Sequence, residues 1–199
     1  MSTAHLIPPS LAELYEIHEW RNATGILQTA CPDQWADIVE VLTGFRPLMS
    51  EFAAPGGRKT DMAGRLDSAF TARGWREKQF HIRVSVDGHP YDTPTHQIDC
   101  VSGQVALEVE WSNKDPFFDR DLSNFRILFD ARAIAVGVIV TRTDSLKDLY
   151  QRVGKDYTAT STWMSKLKPR IDGGGAGGCP ILVFGIKPSA FVDDLSPPG

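Results

Sequence analysis

IDCVSGQVALEVEW, residues 98–111, decides how the chain folds. Two runs rich in β-branched residues flank a Ser-Gly pair, which reads as a β-hairpin with a tight turn at Ser102-Gly103. Successive strand residues face opposite ways, so Val105, Leu107, Val109 and Trp111 share one side and Ala106, Glu108 and Glu110 the other. With that turn Val101 faces Gln104 and Asp99 faces Ala106, which brings Asp99 to the side of Glu108 and Glu110. Asp99 then lies diagonal to Glu108, with backbones roughly 7–8 Å apart. Two unit charges about 5 Å apart repel by roughly 3 kcal/mol at an effective dielectric of about 20. Three such acids must spread into water, take up protons or bind a cation. Hard oxygen ligands that leave room for water and a phosphate suit Mg²⁺. In that reading Asp99 and Glu108 are the principal ligands and the Val109 carbonyl a third. Glu110 would orient or deprotonate a water, or hold a second ion. Pattern alone favours the plainer reading, in which Glu108 and Glu110 are the solvated face of an amphipathic strand.

Working outward, FHIRVSV (80–86) alternates Phe80, Ile82, Val84 and Val86 with polar residues, the mark of a strand with one buried face, and DGHPYDTP reads as a connector to the hairpin. DPFFDRDLSNFRILFD returns to helical spacing with Phe118, Leu122, Phe125 and Phe129 in register. AIAVGVIVT (133–141) and PILVFGI (180–186) are apolar runs expected of strands covered on both faces. Helices are expected over 144–153 and 160–170. On the N-terminal side, Ser10 caps a helix running through Leu11, Leu14, Tyr15 and Ile17, with Glu13 as its capping-box partner. Further helices are predicted from Asp33 to Leu42 and from Asp61 to Arg73, stopped by Gly44 and Gly74. The predicted class is α/β (α+β), a mixed central sheet flanked by helices. A single domain is expected over 1–199, its N-terminal helical part covering about 1–73 and its core about 74–187.

The net charge of −4 hides an uneven distribution. Residues 58–83 hold seven Lys/Arg against three Asp/Glu, whereas 84–130 hold three against nine. An acidic hairpin flanked by basic segments is compatible with a polyanion held over a carboxylate cluster. Cys31, Cys100 and Cys179 are far apart and odd in number, which argues against a disulfide framework or a thiolate zinc site. The start lacks a basic segment followed by an apolar core, and no apolar run is long enough to span a bilayer, so a cytoplasmic protein is expected.

The longer stretch THQIDCVSGQVALEVEWSNKDPFFDRDLSNFR resembles the catalytic region of BglII-like type II restriction endonucleases, the BglII/BamHI-related branch of the PD-(D/E)xK nucleases. The resemblance is strongest over about 95–142 and implies a restriction-endonuclease-like αβββαβ core. It matches Asp99 and Glu108 to the two metal-binding acids and puts Glu110 where lysine is commonest, a departure that bears on how the water is activated. It further implies Mg²⁺, double-stranded DNA as substrate, hydrolysis of both strands at a short palindromic site, and a homodimer. A structure-selective repair or junction nuclease could use the same three acids. A non-catalytic DNA-binding module would keep the fold without the metal.

Beyond the acids, Asn113 and Lys114 follow the catalytic strand and are candidates for base or backbone contacts, against a plain loop and helix cap at Asp115. Arg58 and Lys59 in the GGRKT loop could approach phosphates, with Arg65, Arg73, Arg76 and Lys78 beyond them. Ser161, Thr162, Lys166 and Lys168 form a second candidate DNA surface. Glu77 is an optional extra acid, His96 a structural neighbour of Asp99, and Trp163 a core or interface residue. Asp119 and Asp121 read as first-turn acids that favour the helix dipole. DGGGAGGCP lacks the ending of a phosphate loop and reads as a flexible connector.

Overall fold

A computed structural model describes residues 3–54 and 61–195. Its centre is a six-stranded mixed sheet in the order β1-β6-β5-β4-β3-β2. The strands are β1 (Tyr15–Trp20), β2 (Arg76–Val86), β3 (His89–Ser102), β4 (Val105–Val109), β5 (Val136–Arg142) and β6 (Ile181–Ile186). The helices are α1 (Pro9–Leu14), α2 (Ala23–Ala30), α3 (Pro32–Gly44), α4 (Met49–Ala53), α5 (Asp61–Thr71), α6 (Pro116–Asp130), α7 (Lys147–Arg152) and α8 (Met164–Asp172). The expected alternation of strands and helices from β2 to β6 is therefore present.

Alternation along β4 gives each face of the sheet its own core. Val105, Leu107 and Val109 join Val136, Val138, Val140 and Phe184 in a cluster with the N-terminal helices, built on Leu27, Ile38, Leu42, Leu66 and Phe70. Ala106 turns the other way, to Ile139 and Val183, and is covered by Phe118, Leu122 and Phe125 of α6 and Leu167 and Ile171 of α8. Parity puts Glu108 and Glu110 on this second face. The polypeptide passes from β4 through α6 to β5, which pairs parallel to β4 with Glu108 opposite Ile139. α6 is thus held across the strand that carries Glu108 and leads directly into Glu110.

Several expectations are corrected. The first helix starts at Pro9 with Pro8, not Ser10, at the cap, and it ends at Leu14. Tyr15 to Trp20 instead form a strand paired antiparallel with β6, Tyr15 opposite Ile186. Helical spacing here was overridden by a distant partner, and the N-terminal part contributes an edge strand to the central sheet. The hairpin turn lies one residue later than expected, at Gly103-Gln104, because Val101 pairs with Ala106 and Ser102 with Val105. Gly103 has φ +52°, a left-handed value that glycine takes at the first central position of such turns. The shift moves each pairing by two residues and so leaves the faces unchanged.

The connector 87–94 is mostly strand: only Asp87 and Gly88 turn, both at positive φ, and β3 begins at His89. In β2 the apolar face is only half-buried, and that at Phe80 and Ile82. Phe80 and Ile82 pack on the α6 side, while Val84 and Val86 are 47% and 52% exposed. The supporting helices end before this edge hairpin does. The glycine-rich connector after α8 is packed rather than loose, with Ala176 and Cys179 fully buried.

Candidate active site

β3 and β4 pair as regular strands only up to Cys100 and Leu107, and beyond that point side chains replace the ladder. Val109 N–H donates to Asp99 Oδ2 at 2.9 Å, and Asp99 N–H donates to Glu108 Oε2 at 3.2 Å. The parting strands satisfy their backbone with carboxylates, which fixes both acids at the mouth of the split. Asp99, Glu108, Val109 and Glu110 line a cleft of ≈ 260 Å³ with His96, Trp111, Asn113, Phe117 and Arg120. Asp99 therefore stands directly across from Glu108, closer than the diagonal placement read from the sequence.

Burial makes these acids expensive. Glu108 is 1% exposed, Glu110 2% and Asp121, from α6, 0%. Burial pushes the Glu108 carboxyl well above the ordinary range, and the neighbouring Asp121 and Asp99 charges push it further. Glu110 is raised to about 8 by burial and then by Asp121. Asp121 is raised to about 6 by burial, with Arg120 opposing. Arg120 donates to Asp121 Oδ1 from Nε at 3.0 Å and Nη2 at 2.9 Å, and to Glu110 Oε1 at 3.3 Å. Its guanidinium lies 4.4 Å from the Phe117 ring centre. Asn113 Nδ2 holds the other Glu110 oxygen at 2.8 Å. One guanidinium thus serves a set of acids it cannot neutralise. Two buried oxygens, Glu108 Oε1 and Asp121 Oδ2, accept no hydrogen bond at all. Buried anionic oxygens left bare are what a cation would satisfy, so the residues fit a divalent ion.

His96 adjoins Glu108 rather than Asp99: Nε2 lies 3.2 Å from Glu108 Oε1 and 3.9 Å from Asp121 Oδ1. Burial and the Arg120 charge lower its pKa to about 4, so the ring is neutral near pH 7. Asp121, Arg120 and His96 were not read from the sequence as parts of the site. A signal was present for Asp121: it falls within the apolar stripe of Phe118, Leu122 and Phe125, where a lone carboxylate needs partners.

The remaining candidates are placed as follows. Lys114 Nζ donates to the Ala159 carbonyl at 2.5 Å, which ties the loop after β4 to residues 157–159. Ser161 is engaged with Asp115, accepting from its N–H at 2.8 Å and donating to its carboxylate at 2.6 Å. Thr162 is fully buried, so the expectation that it contacts DNA does not hold for its side chain. It instead accepts from Arg142 Nη2 at 2.9 Å. Lys166 is exposed, and Lys168 lies 3.6 Å from Glu16. Asp119 and Asp115 share Arg170. Glu77 is exposed on β2 and does not line the cleft. Arg65 pairs with Glu51, and Arg73 with Asp37 and Glu40, so these basic residues serve the fold. Arg58 and Lys59 lie outside the described residues.

Trp163 is core, and with Trp111 and Tyr150 it encloses Arg142, whose guanidinium lies 4.1 Å, 5.4 Å and 5.7 Å from the three ring centres. Arg142 also reaches the Tyr150 hydroxyl at 2.5 Å. This buried cation knits β5 to the segment that follows Glu110.

A family model described as restriction endonuclease BglII/BglIII matches residues 15–186. No match was found among the curated proteins.

Proposed function

The chain belongs to the BglII/BglIII restriction endonuclease family and is thus a nuclease acting on DNA, and we propose that it hydrolyses both strands of a short palindromic site as a Mg²⁺-dependent homodimer. The observation that carries the metal-dependent part is the pair of buried Glu108 and Asp121 oxygens without hydrogen bonds, beside Asp99, in one cleft. Asp99 and Glu108 would hold the ion, with the Val109 carbonyl as a further oxygen ligand. A divalent cation there supplies positive charge to the scissile phosphate and lowers the cost of taking a proton from water.

The protein's own groups set the rest. The crossed backbone bonds of Asp99 and Glu108 fix both carboxylates before DNA arrives, so little reorganisation remains to be met during reaction. Glu110, whose carboxyl burial raises to about 8 without an ion, would be freed to accept a proton from the attacking water once a nearby cation lowers it. Asn113 and Arg120 hold its two oxygens in place. Asn113 and Lys114 sit on the segment just beyond, where contacts to bases or phosphates belong in this reading, and exposed Lys166 adds charge. Arg58 and Lys59 remain proposed phosphate contacts. A two-fold symmetric dimer is the natural reader of a two-fold symmetric site.

The test is to incubate purified protein and Mg²⁺ with a long DNA of known sequence. Discrete, reproducible fragments that vanish with a chelator are expected. DNA left intact across varied sequences, or degraded to a smear, would contradict site-specific cleavage, and preference for branched DNA would favour the junction-nuclease alternative.

A further inference from the structure

We propose that His96, Glu108 and Asp121 form a second cation subsite, one that takes a first-row transition ion such as Mn²⁺ in preference to Mg²⁺. It rests on the reading above only in taking Glu108 as an ion ligand. The three side chains come from different elements, β3, β4 and α6, yet each brings a ligand atom within 4.8 Å of the others. Glu108 and Asp121 are essentially fully buried; Glu108 Oε1, which accepts no hydrogen bond, faces His96 Nε2 at 3.2 Å, and Asp121 Oδ1 lies 3.9 Å from the same nitrogen. Both Arg120 contacts to Asp121 use Oδ1, and Oδ2 accepts no hydrogen bond, so the carboxylate keeps capacity for a further ligand.

The donor set distinguishes this place from the Asp99–Glu108 pair. One imidazole with two carboxylates suits Mn²⁺, Co²⁺ or Zn²⁺, whereas Mg²⁺ favours oxygen alone and keeps its waters. The other ring nitrogen has the partner such a ligand needs, because Asn124 Nδ2 and His96 Nδ1 are in contact. With the amide turned so that its oxygen accepts the Nδ1 proton, the lone pair of Nε2 faces the two carboxylates. His96 and Glu108 both line the open cleft, which gives the ion a way in.

The test is electron paramagnetic resonance of the intact protein titrated with Mn²⁺, with electron spin-echo detection of coupled ¹⁴N. Expected is a ¹⁴N modulation that is absent in His96→Gln, together with an affinity about 10-fold or more weaker in Asp121→Asn. Excess Mg²⁺ should not remove the modulation. No ¹⁴N coupling in the wild type, or coupling that survives in His96→Gln, would overturn the subsite. Should His96→Gln not fold, Asp121→Asn decides: folded by circular dichroism with unchanged Mn²⁺ affinity counts against it. Site-specific cleavage with Mg²⁺ but no ¹⁴N coupling sinks the subsite alone. Coupling without cleavage of any DNA sinks the nuclease reading alone.

Discussion

Asp99 and Glu108 each hold the other's strand: the Asp99 carboxylate accepts the N–H of Val109, and the Asp99 N–H donates to the Glu108 carboxylate. Each acid is therefore both a backbone pin and a candidate ligand, so substitutions at these positions separate chemistry from folding only if they keep the hydrogen bond.

Glu108→Gln keeps an acceptor for the Asp99 N–H while removing the negative charge. Cleavage is expected to fall by about 10³-fold or more, as loss of several kcal/mol of transition-state stabilisation implies. Melting temperature should stay level or rise, since a buried charge among Asp99, Asp121 and Glu110 is gone. Differential scanning calorimetry beside a cleavage assay checks both halves. A large drop in stability with activity retained would show the carboxylate to be purely structural.

Without divalent ions, stability should decline as pH rises. Glu110 has a folded pKa of about 8 against an ordinary 4.5, so its contribution is fully present below 4.5 and lost as pH climbs through 8. His96 works the other way, its pKa lowered from 6.5 to about 4, so it opposes folding increasingly as pH falls below 6.5. Above about pH 6.5 only the carboxyl effect of these two remains. The melting temperature of chelator-treated protein is therefore expected to drop between about pH 6.5 and 8, and added divalent ion should recover it at pH 8. A flat profile in that window would mean the acids are already compensated.

Arg142→Ala is expected to cost about 3 kcal/mol, from the cavity among Trp111, Tyr150 and Trp163 and from unsatisfied groups at Thr162 and Tyr150. Because Trp111 follows Glu110 directly, cleavage should fall further than stability alone explains. Chemical denaturation and turnover at a temperature where the variant is folded measure the two.

Gly137 lies in β5 beneath α6. A Cβ there would stand 2.5 Å from Phe125 Cδ2 and 2.9 Å from Ile181 Cδ1. Gly137→Ala should destabilise by about 1–3 kcal/mol through overpacking, read as a lower denaturation midpoint.

Much of the sheet was legible because β4, β5, β6 and α6 carry clean periods of about 2 or 3.6 residues, or unbroken apolar runs. The hairpin acids were legible for the same reason, since parity survives a turn misplaced by one residue. YEIHEW was not, because its strand conformation is set by pairing with β6, over 160 residues away in sequence. Asp121, Arg120 and His96 were missed as site residues because their roles arise from packing α6 across β4, and no local pattern records which side chains a helix brings to a strand. Thr162 looked like a surface hydroxyl in a polar stretch, yet buried Arg142 draws it inward.

Calorimetric titration of divalent ion into the intact protein, wild type against Asp99→Asn with Glu108→Gln, probes the cation-holding pair most directly. Binding heat in the wild type that is lost in the double variant, with its fold intact, is the expected result. Equal binding by both proteins would contradict the assignment of Asp99 and Glu108 as the residues that hold the ion.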